Sequence, residues 1–595
     1  MNKDAADSIS LGGNLWQIAA PEGRLVDVMV QRHNLPVIIA GIMVLRGIGI
    51  DDAADFLNPK ISRLMPDPFV LKDMAKAADR IADAVIKRQK IAVIGDYDVD
   101  GATSTSVMRL FLHSVGIEPE VHIPDRDEGY GPSIQAVDAF KAAGAELLLT
   151  LDCGTTAFEP LEHAAAAGMD VIVLDHHEAE ARLPKIYAVV NPKRLDEDND
   201  YPYLKYMAAV GVVFMTIVAV NRALREKGFY TPEQSEPDLK KWLDLVALGT
   251  VCDVVPLKGL NRAYVAQGLK VMAARGNKGL ATLMDKANLS EPPTAFHLGY
   301  VLGPRINACG RVGDADMGNK LLCCDSDYQA QLLADKLNEF NVARKDIENH
   351  VLLSAMEKLE GEENKYPIAF VYGHDWHQGV IGIVAGKLKE RYNVPAFVMS
   401  VEKDEVKGSA RSIPQVDLGA LIIAAKERGL ITKGGGHMMA AGFSLEEGRI
   451  EEFREFVGEY VLSKIGDEAI TPVVEIDAVL DAGGANAALA DYLEKLEPFG
   501  AGNPEPRLML KNVRIIKPSL IGVGHVRCIL TSENGGSIKA IAFRVGDNDI
   551  GSAMLNPQGE IFDVVGVLRH DRWNGRSDVQ FIIEDLRKAK NGRQK

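Results

Sequence analysis

The chain predicts an α/β protein in three folded parts: a parallel-sheet domain, a second and smaller α/β domain, and a C-terminal β-barrel. Three observations predict this. Short, wholly apolar runs alternate with helical patterns between residues 71 and 324, as buried parallel strands joined by crossover helices do. The alternation returns after one long polar–apolar helical stretch at 325–360. Beyond residue 500 the helices give way to closely spaced short strands.

In chain order, residues 1–70 read as a mixed leader rich in Pro and Gly, closing near Met65-Pro66-Asp67-Pro68. The first domain, 71–324, then predicts a helix over Met74–Gln89, a strand over Ile91–Ile94 and a helix over Thr103–His113. Leu147–Leu151 comes next as a strand, Ala157–Ala167 as a helix and Val171–Leu174 as a strand. The second domain, 361–465, predicts strands at Ile368–Tyr372 and Ala396–Ser400 with helices at Ile381–Arg391 and Leu418–Arg428. After a breaker-rich joint, Glu497–Pro504, come Arg507–Ile516, His525–Thr531, Ser537–Phe543, Phe562–Leu568 and Val579–Ile583. Five short strands with almost no helix between them suit a small barrel of the oligonucleotide-binding (OB) type, placed at 470–590.

Composition narrows the function classes. At 47% hydrophobic and 25% charged residues, the chain is neither largely disordered nor a collagen or coiled-coil rod. MNKDAADSIS lacks the basic-then-apolar layout of a secretory leader, and the longest apolar run, Tyr206–Val220, is too short to span a bilayer. Six cysteines without a CxxC pair suggest neither a disulfide framework nor a zinc ribbon. The expectation is a cytoplasmic protein with no membrane partner. The net charge of −16 is uneven: residues 501–595 hold 15 Lys and Arg against 10 Asp and Glu, a balance of +5, which leaves −21 for residues 1–500. A basic terminal module on an acidic body is one layout for contact with nucleic acid.

The residues immediately after each strand carry the chemistry. Ile91–Ile94 leads into Asp96, Asp98 and Asp100; Leu147–Leu151 into Asp152-Cys153-Gly154-Thr155-Thr156; Val171–Leu174 into Asp175-His176-His177. A single Asp after a strand usually caps a turn or a helix. In a parallel sheet, however, all these carboxyl ends share one edge, where ligand crevices form. Carboxylates gathered there repel and need a cation. Oxygen donors with imidazole suit Mn²⁺ or Mg²⁺, and the alternating Asp98 and Asp100 make a pair of ions feasible. Such a pair activates water and stabilises in-line phosphoryl transfer. There is no Walker A sequence and no GxGxxG after a strand.

These residues resemble the DHH phosphoesterase superfamily. The resemblance rests on Asp96-Tyr97-Asp98-Val99-Asp100-Gly101, Asp152–Thr156 and Asp175-His176-His177. Gly249-Thr250-Val251-Cys252-Asp253-Val254-Val255-Pro256-Leu257 looks like its fourth motif. Gly434-Gly435-Gly436-His437 with Ala440-Ala441-Gly442 looks like the glycine-rich signature of the associated DHHA1-type domain. Gly303–Arg311, Gly408–Ser412 and the Glu497–Pro504 joint are similar to the single-strand-specific 5′ exonuclease branch. By position, the resemblance implies that Asp96, Asp98 and Asp152 surround one metal ion, and Asp100, Asp152, His176 and Asp253 the other. It further implies that His177 sits by the scissile phosphate and that Asp175 orients the histidine pair. Some relatives place a His four residues before Asp98; here that position is Ile94, and Asp96 compensates.

Arg411 with Ser409 offers a fork of donors and a hydroxyl for a terminal phosphate. Arg305 and Arg311 can neutralise further phosphates, Asn307 shares their motif, and His437 in its glycine run can approach substrate. Cys153, Cys252 and Cys309 read as small buried hydrophobes. Phe543, Trp573 and Phe581 are candidates for base stacking, with core packing expected for two of the three. The resemblance thus implies a metal-dependent 5′→3′ exonuclease on single-stranded DNA, acting in repair and recombination. A single-strand-binding protein and a helicase are its expected partners. Two alternatives are a phosphodiesterase of the same superfamily acting on short RNA or cyclic dinucleotides, and a non-catalytic nucleic-acid-binding scaffold. The barrel argues against the first and the full set of carboxylates against the second. Because every candidate metal ligand precedes residue 254, removal of residues 501–595 is expected to spare metal binding.

Overall fold

Five parallel strands form the sheet that positions the acidic residues, in the order Glu120–His122, Ile91–Ile94, Leu147–Leu151, Asp170–Leu174, Ala188–Val190. The computed structural model describes residues 9–125, 128–129, 131–361, 365–403, 405–466, 470–571 and 578–589. These divide into two units. One holds the chain up to Gly310, Asp314–Asn338 and everything from Val474 onward; the other holds Arg311–Gly313 and Glu339–Val473.

In the first unit, Ile91–Ile94 and Leu147–Leu151 are buried along their whole length, which is why they read as apolar runs broken only by Thr150. Ile94 lies opposite Thr150, Leu151 opposite Leu174 and Leu174 opposite Val190, so Asp96, Asp152, Asp175 and Asn191 leave the sheet at one edge. The helix expected from Thr103 begins at Val99 instead. Asp98 accepts a hydrogen bond from Gly101 N at 2.9 Å and so caps the helix a turn earlier. The apolar run at 206–220 lies largely within a buried helix, Ala209–Glu226, which explains its hydrophobicity as core. Among the described residues no helix is long and apolar enough to cross a membrane.

The C-terminal strands are Leu508–Ile521, His525–Ser532, Ser537–Ala542, Ile561–Asp571 and Asp578–Lys588. Pairing of Leu508–Ile521 with Ile561–Asp571 closes them into a five-stranded barrel of the OB type. Residues of the stretch read from sequence as a mixed leader, 1–70, pack on this barrel. Met29, Ile39, Ile42 and Met43 share one apolar core with Leu508, Val513, Phe562 and Phe581. Buried Asp585 accepts hydrogen bonds from Ser10 Oγ (2.5 Å), Asn14 Nδ2 (2.8 Å) and Trp16 Nε1 (2.9 Å).

The second unit has a five-stranded mixed sheet in the order Lys433–His437, Ala440–Glu446, Glu405–Arg411, Ala396–Glu402, Ala369–His374. Phe370, Phe397, Phe443 and Phe453 pack as its aromatic core. The glycine run forms the edge strand of a hairpin that turns at Met438-Met439. A Cβ on Gly436 would lie 2.5 Å from Ala440 O, so the two strands approach too closely for any other residue. The expected long helix runs from Asp327 to Gly361, its residues up to Asn338 in the first unit and the rest in the second.

Candidate active site

Local geometry explains why each acidic residue arrives where it does. A Cβ on Gly101 would lie 2.3 Å from Asp96 O, so only glycine lets the helix start pack under the Asp96 turn. Asp152, the first residue after its strand, has φ +61, a left-handed conformation that a non-glycine residue adopts at a cost. Asp253 ends the helix Leu243–Cys252. A Cβ on Gly249, one turn earlier, would lie 2.9 Å from Asp100 Oδ1, so glycine again permits the approach of that helix to Asp100.

The side chains converge. His176 Nε2 lies 3.3 Å from Asp152 Oδ1, 3.6 Å from Asp253 Oδ2 and 3.9 Å from Asp100 Oδ2. Neither ring nitrogen of His176 nor Oδ2 of Asp253 makes a hydrogen bond, although all three atoms are buried. Three sets have ligand atoms within 4.8 Å of one another: Asp96, Asp98 and Asp152; Asp100, His176 and Asp253; Asp152, His176 and His177. Asp152 belongs to two of them. Burial first, then neighbouring carboxylates, pushes Asp100 and Asp253 up to about 7 and Asp152 well above the carboxylate range. Burial likewise lowers His176. A pocket that makes its carboxylates this reluctant to ionise, with oxygen donors and a bare imidazole aimed at one point, fits divalent cations such as Mn²⁺ or Mg²⁺.

Asp175 behaves differently. Burial opposes its charge, but His177 Nδ1 at 2.8 Å and the backbone N–H groups of Thr155 (3.0 Å), His176 (2.7 Å) and His177 (3.2 Å) outweigh it and hold the carboxyl below the usual range. Burial would lower His177, yet the hydrogen bond and charge of Asp175 raise it to about 9. Asn191, missed in the sequence, completes the arrangement: its Nδ2 donates to Thr155 Oγ1 and to His177 O, both at 2.8 Å. The signal was present, since Asn191 comes directly after the strand Ala188–Val190 at the same sheet edge. Lys193 lies nearby, 3.2 Å from Glu178.

Arg305 and Asn307, residues of the first unit, lie half-buried on the helix Gly303–Val312. Arg305 donates to Val301 O (2.6 Å) and Asn338 Oδ1 (3.2 Å), both neutral acceptors. The glycines of that motif serve contact: Cβ atoms on Gly303 and Gly310 would lie 2.4 Å from Cys252 Sγ and 2.8 Å from Tyr97 O. In the second unit Arg411 Nη1 donates to Ser409 Oγ (3.1 Å) and Ala410 O (2.9 Å), and burial lowers the guanidinium with no carboxylate among the described residues to offset it. A Cβ on Gly382 would fall 3.0 Å from Ser409 Oγ and 3.2 Å from Arg411 Nη2, which places the pair against the first turns of the helix Gln378–Tyr392. Arg311 Nη1 donates to Gly379 O at that same helix start (2.6 Å). His437 is exposed; its backbone pairs with Ala440, which in turn pairs with Arg411.

Phe581 is fully buried in the barrel core, whereas Phe543 is 52% exposed against His525; Trp573 lies outside the described residues. No cysteine belongs to a metal-capable set among the described residues. Cys153 and Cys309 are buried, and burial pushes their thiols up.

Comparison with known proteins finds three family matches along the chain. Residues 90–250 match the DHH family, N-terminal domain; residues 363–463 the DHHA1 domain; residues 476–585 the RecJ OB domain. The single-stranded-DNA-specific exonuclease RecJ of Escherichia coli (strain K12) is 34% identical over 93% of this chain and 96% of its own length. That of Bacillus subtilis (strain 168) is 32% identical over 96% of this chain and 70% of its own. The crystal structure of RecJ in complex with Mn²⁺ from Thermus thermophilus superposes with a TM-score of 0.80 at 27% identity, covering 97% of this chain and 80% of that one. With full-length relatives above 30% identity and all three domain types present, the chain belongs to the RecJ family of DHH phosphoesterases.

Proposed function

We propose that the chain is a metal-dependent exonuclease that hydrolyses single-stranded DNA from the 5′ end to mononucleotides, in DNA repair and recombination. The observation that supports this reading is that Asp96, Asp98 and Asp152 form one ligand set and Asp100, His176 and Asp253 another, with Asp152 Oδ1 3.3 Å from His176 Nε2 of the second, in a protein of this family. Asp96, Asp98 and Asp152 would hold one divalent cation, and Asp100, Asp152, His176 and Asp253 the other. When bound, two such ions activate a water and offset charge on the phosphoryl oxygens.

The remaining steps belong to the chain's own residues. Ala209 N (2.6 Å) and Val210 N (3.0 Å) donate to the two oxygens of Asp100 and fix its orientation. The Asp175 carboxylate at 2.8 Å from His177 Nδ1 orients the imidazole, which would place His177 beside the scissile phosphate. Arg411 and Ser409, with Arg311 at the same helix start, suit a 5′-terminal phosphate. Arg305, Asn307 and His437 would contact the strand behind it, and the barrel would grip the strand upstream. We assign the protein to the cytoplasm, with a single-strand-binding protein and a helicase as partners.

Digestion of 5′-labelled single-stranded DNA, duplex and RNA with Mn²⁺ tests the reading. Labelled mononucleotide is expected from the first turnovers on single-stranded DNA alone. A labelled ladder shortening from the 3′ end, or equal rates on duplex, would overturn it.

A further inference from the structure

We infer that the joint Glu497–Pro504 is the positioning element for Asp253, so that one cation set is complete only when the barrel is seated. The inference rests on the reading of Asp253 as a ligand. Asp253 ends its helix, and Val254 comes next with φ +59, a left-handed conformation that is unusual for a β-branched residue. The Val254 side chain is 71% exposed, so its own packing does not hold it there. Such a conformation persists where its surroundings determine it.

The joint holds the chain just beyond Val254, at Pro256 and Leu257. Leu257 N donates to Ala501 O at 2.8 Å. Buried Leu257 packs where a Cβ on Gly500 would approach it to 2.8 Å, and a Cβ on Gly502 would come within 3.0 Å of Pro256. The joint is itself clamped. Asn503, 1% exposed, donates from Nδ2 to Leu496 O (2.9 Å) and Pro498 O (2.8 Å) and accepts from Arg46. Fully buried Arg262, on the helix that begins at Gly259, donates to Phe56 O (2.8 Å), Leu496 O (2.9 Å), Glu497 O (2.6 Å) and Pro498 O (3.3 Å). The N-terminal helices, the segment after Asp253 and the entry to the barrel therefore meet at one set of hydrogen bonds. This reverses the expectation from sequence for the truncation: removing residues 501–595 deletes Ala501 and Asn503, and with them the support of Asp253.

The test uses the full chain, stripped of metal and titrated with Mn²⁺ by calorimetry, alongside kcat, KM and Tm. Asn503→Ala should weaken one of two Mn²⁺ binding steps about 10- to 100-fold, the range for lost support of a metal ligand. It should lower kcat rather than raise KM, with activity recovered at high Mn²⁺. Gly500→Ala, which presses on Leu257 without removing a hydrogen bond, should do the same and stands in if Asn503→Ala does not fold. Met554→Ala, a cavity in the barrel core, should lower Tm and leave the isotherm unchanged. An unchanged isotherm in both joint variants, with Asp253→Asn weakening binding, would overturn this inference alone. An unchanged isotherm in Asp253→Asn would overturn the ligand reading and this inference with it.

Discussion

The acidic pocket of the first unit and the arginine pocket of the second are opposite solutions to the same electrostatic problem. In the first, Asp96, Asp100 and Asp152 are almost wholly buried beside Asp98 and Asp253, and mutual repulsion with burial drives three of these carboxyls toward the neutral form. In the second, Arg411 is withdrawn from water with a hydroxyl and a carbonyl as partners and no carboxylate among the described residues. Each pocket gathers groups of one sign whose ionised form burial disfavours, as expected where a ligand of opposite sign completes the site. The barrel teaches the converse. Within its excess of +5, Arg507, Arg569, Arg587 and Lys588 are engaged one for one by Glu584, Glu505, Asp563 and Glu560, so those four offer a ligand no open charge while the excess itself remains. Pairing, rather than net charge, marks where ligands are wanted.

The largest effect should come from breaking the acidic pocket at its shared member. Asp152→Ala removes a donor common to two ligand sets, and turnover should fall by about three orders of magnitude or more, since the cations supply several kcal/mol of transition-state stabilisation. Folding should survive, because the substitution relieves the repulsion among buried carboxyls. A variant retaining more than about a tenth of wild-type kcat, roughly 1.4 kcal/mol of barrier, would remove the two-cation reading.

The difference between the pockets also explains what could be read from sequence. Asp96, Asp152 and Asp175 were legible because each closely succeeds an apolar strand, and a parallel sheet sends all such ends to one edge. Asn191 obeys the same rule but escaped, because its strand is only three residues long and lies among polar turns. Non-local closure was not legible at all: Trp16 meets Asp585 across 569 residues, and no local pattern announces that. The aromatic candidates divided for a similar reason, since alternation places Phe543 and Phe581 near or on strands without saying which face the barrel closes over.

A second measurement sharpens the comparison through pH. Asp100 and Asp253, raised to about 7 when folded, keep protons that the unfolded chain has released above about 4. The metal-free protein should therefore be most stable below about pH 4 in this respect and lose that contribution as pH rises to about 7. His177 adds to the same trend: raised to about 9, it stabilises fully below about 6.5 and less as pH climbs through 9. Asp175, held low, contributes above the usual carboxylate range and is lost only in acid. Saturating Mn²⁺ should abolish the fall between about pH 5 and 7 by favouring the ionised carboxylates, a gain in Tm of about 5 °C or more at pH 7. Asp100→Asn with Asp253→Asn should flatten the metal-free profile. Wild-type and doubly substituted protein with the same slope would show that these carboxyls are not the source.

The smallest effect, and the most selective, belongs to the arginine pocket. Arg411→Ala leaves the acidic pocket's chemistry intact and removes one fork of donors, so its cost should appear only where a terminal phosphate is present. A charge-assisted hydrogen bond contributes about 1.5–3 kcal/mol, which corresponds to a roughly 10- to 100-fold loss of kcat/KM on 5′-phosphorylated strands. Strands ending in a 5′-hydroxyl never make the contact and should lose little. Arg411→Lys retains the charge without the planar fork and should fall between the two. Folding should tolerate both changes, because among the described residues the Arg411 side chain bonds only Ser409 Oγ and its own neighbour's carbonyl. Single-turnover digestion of matched strands differing only in the 5′ group measures the ratio directly. Equal slowing on both ends would assign Arg411 to the packing around Gly382, and the symmetry between a pocket awaiting cations and a pocket awaiting phosphate would be lost.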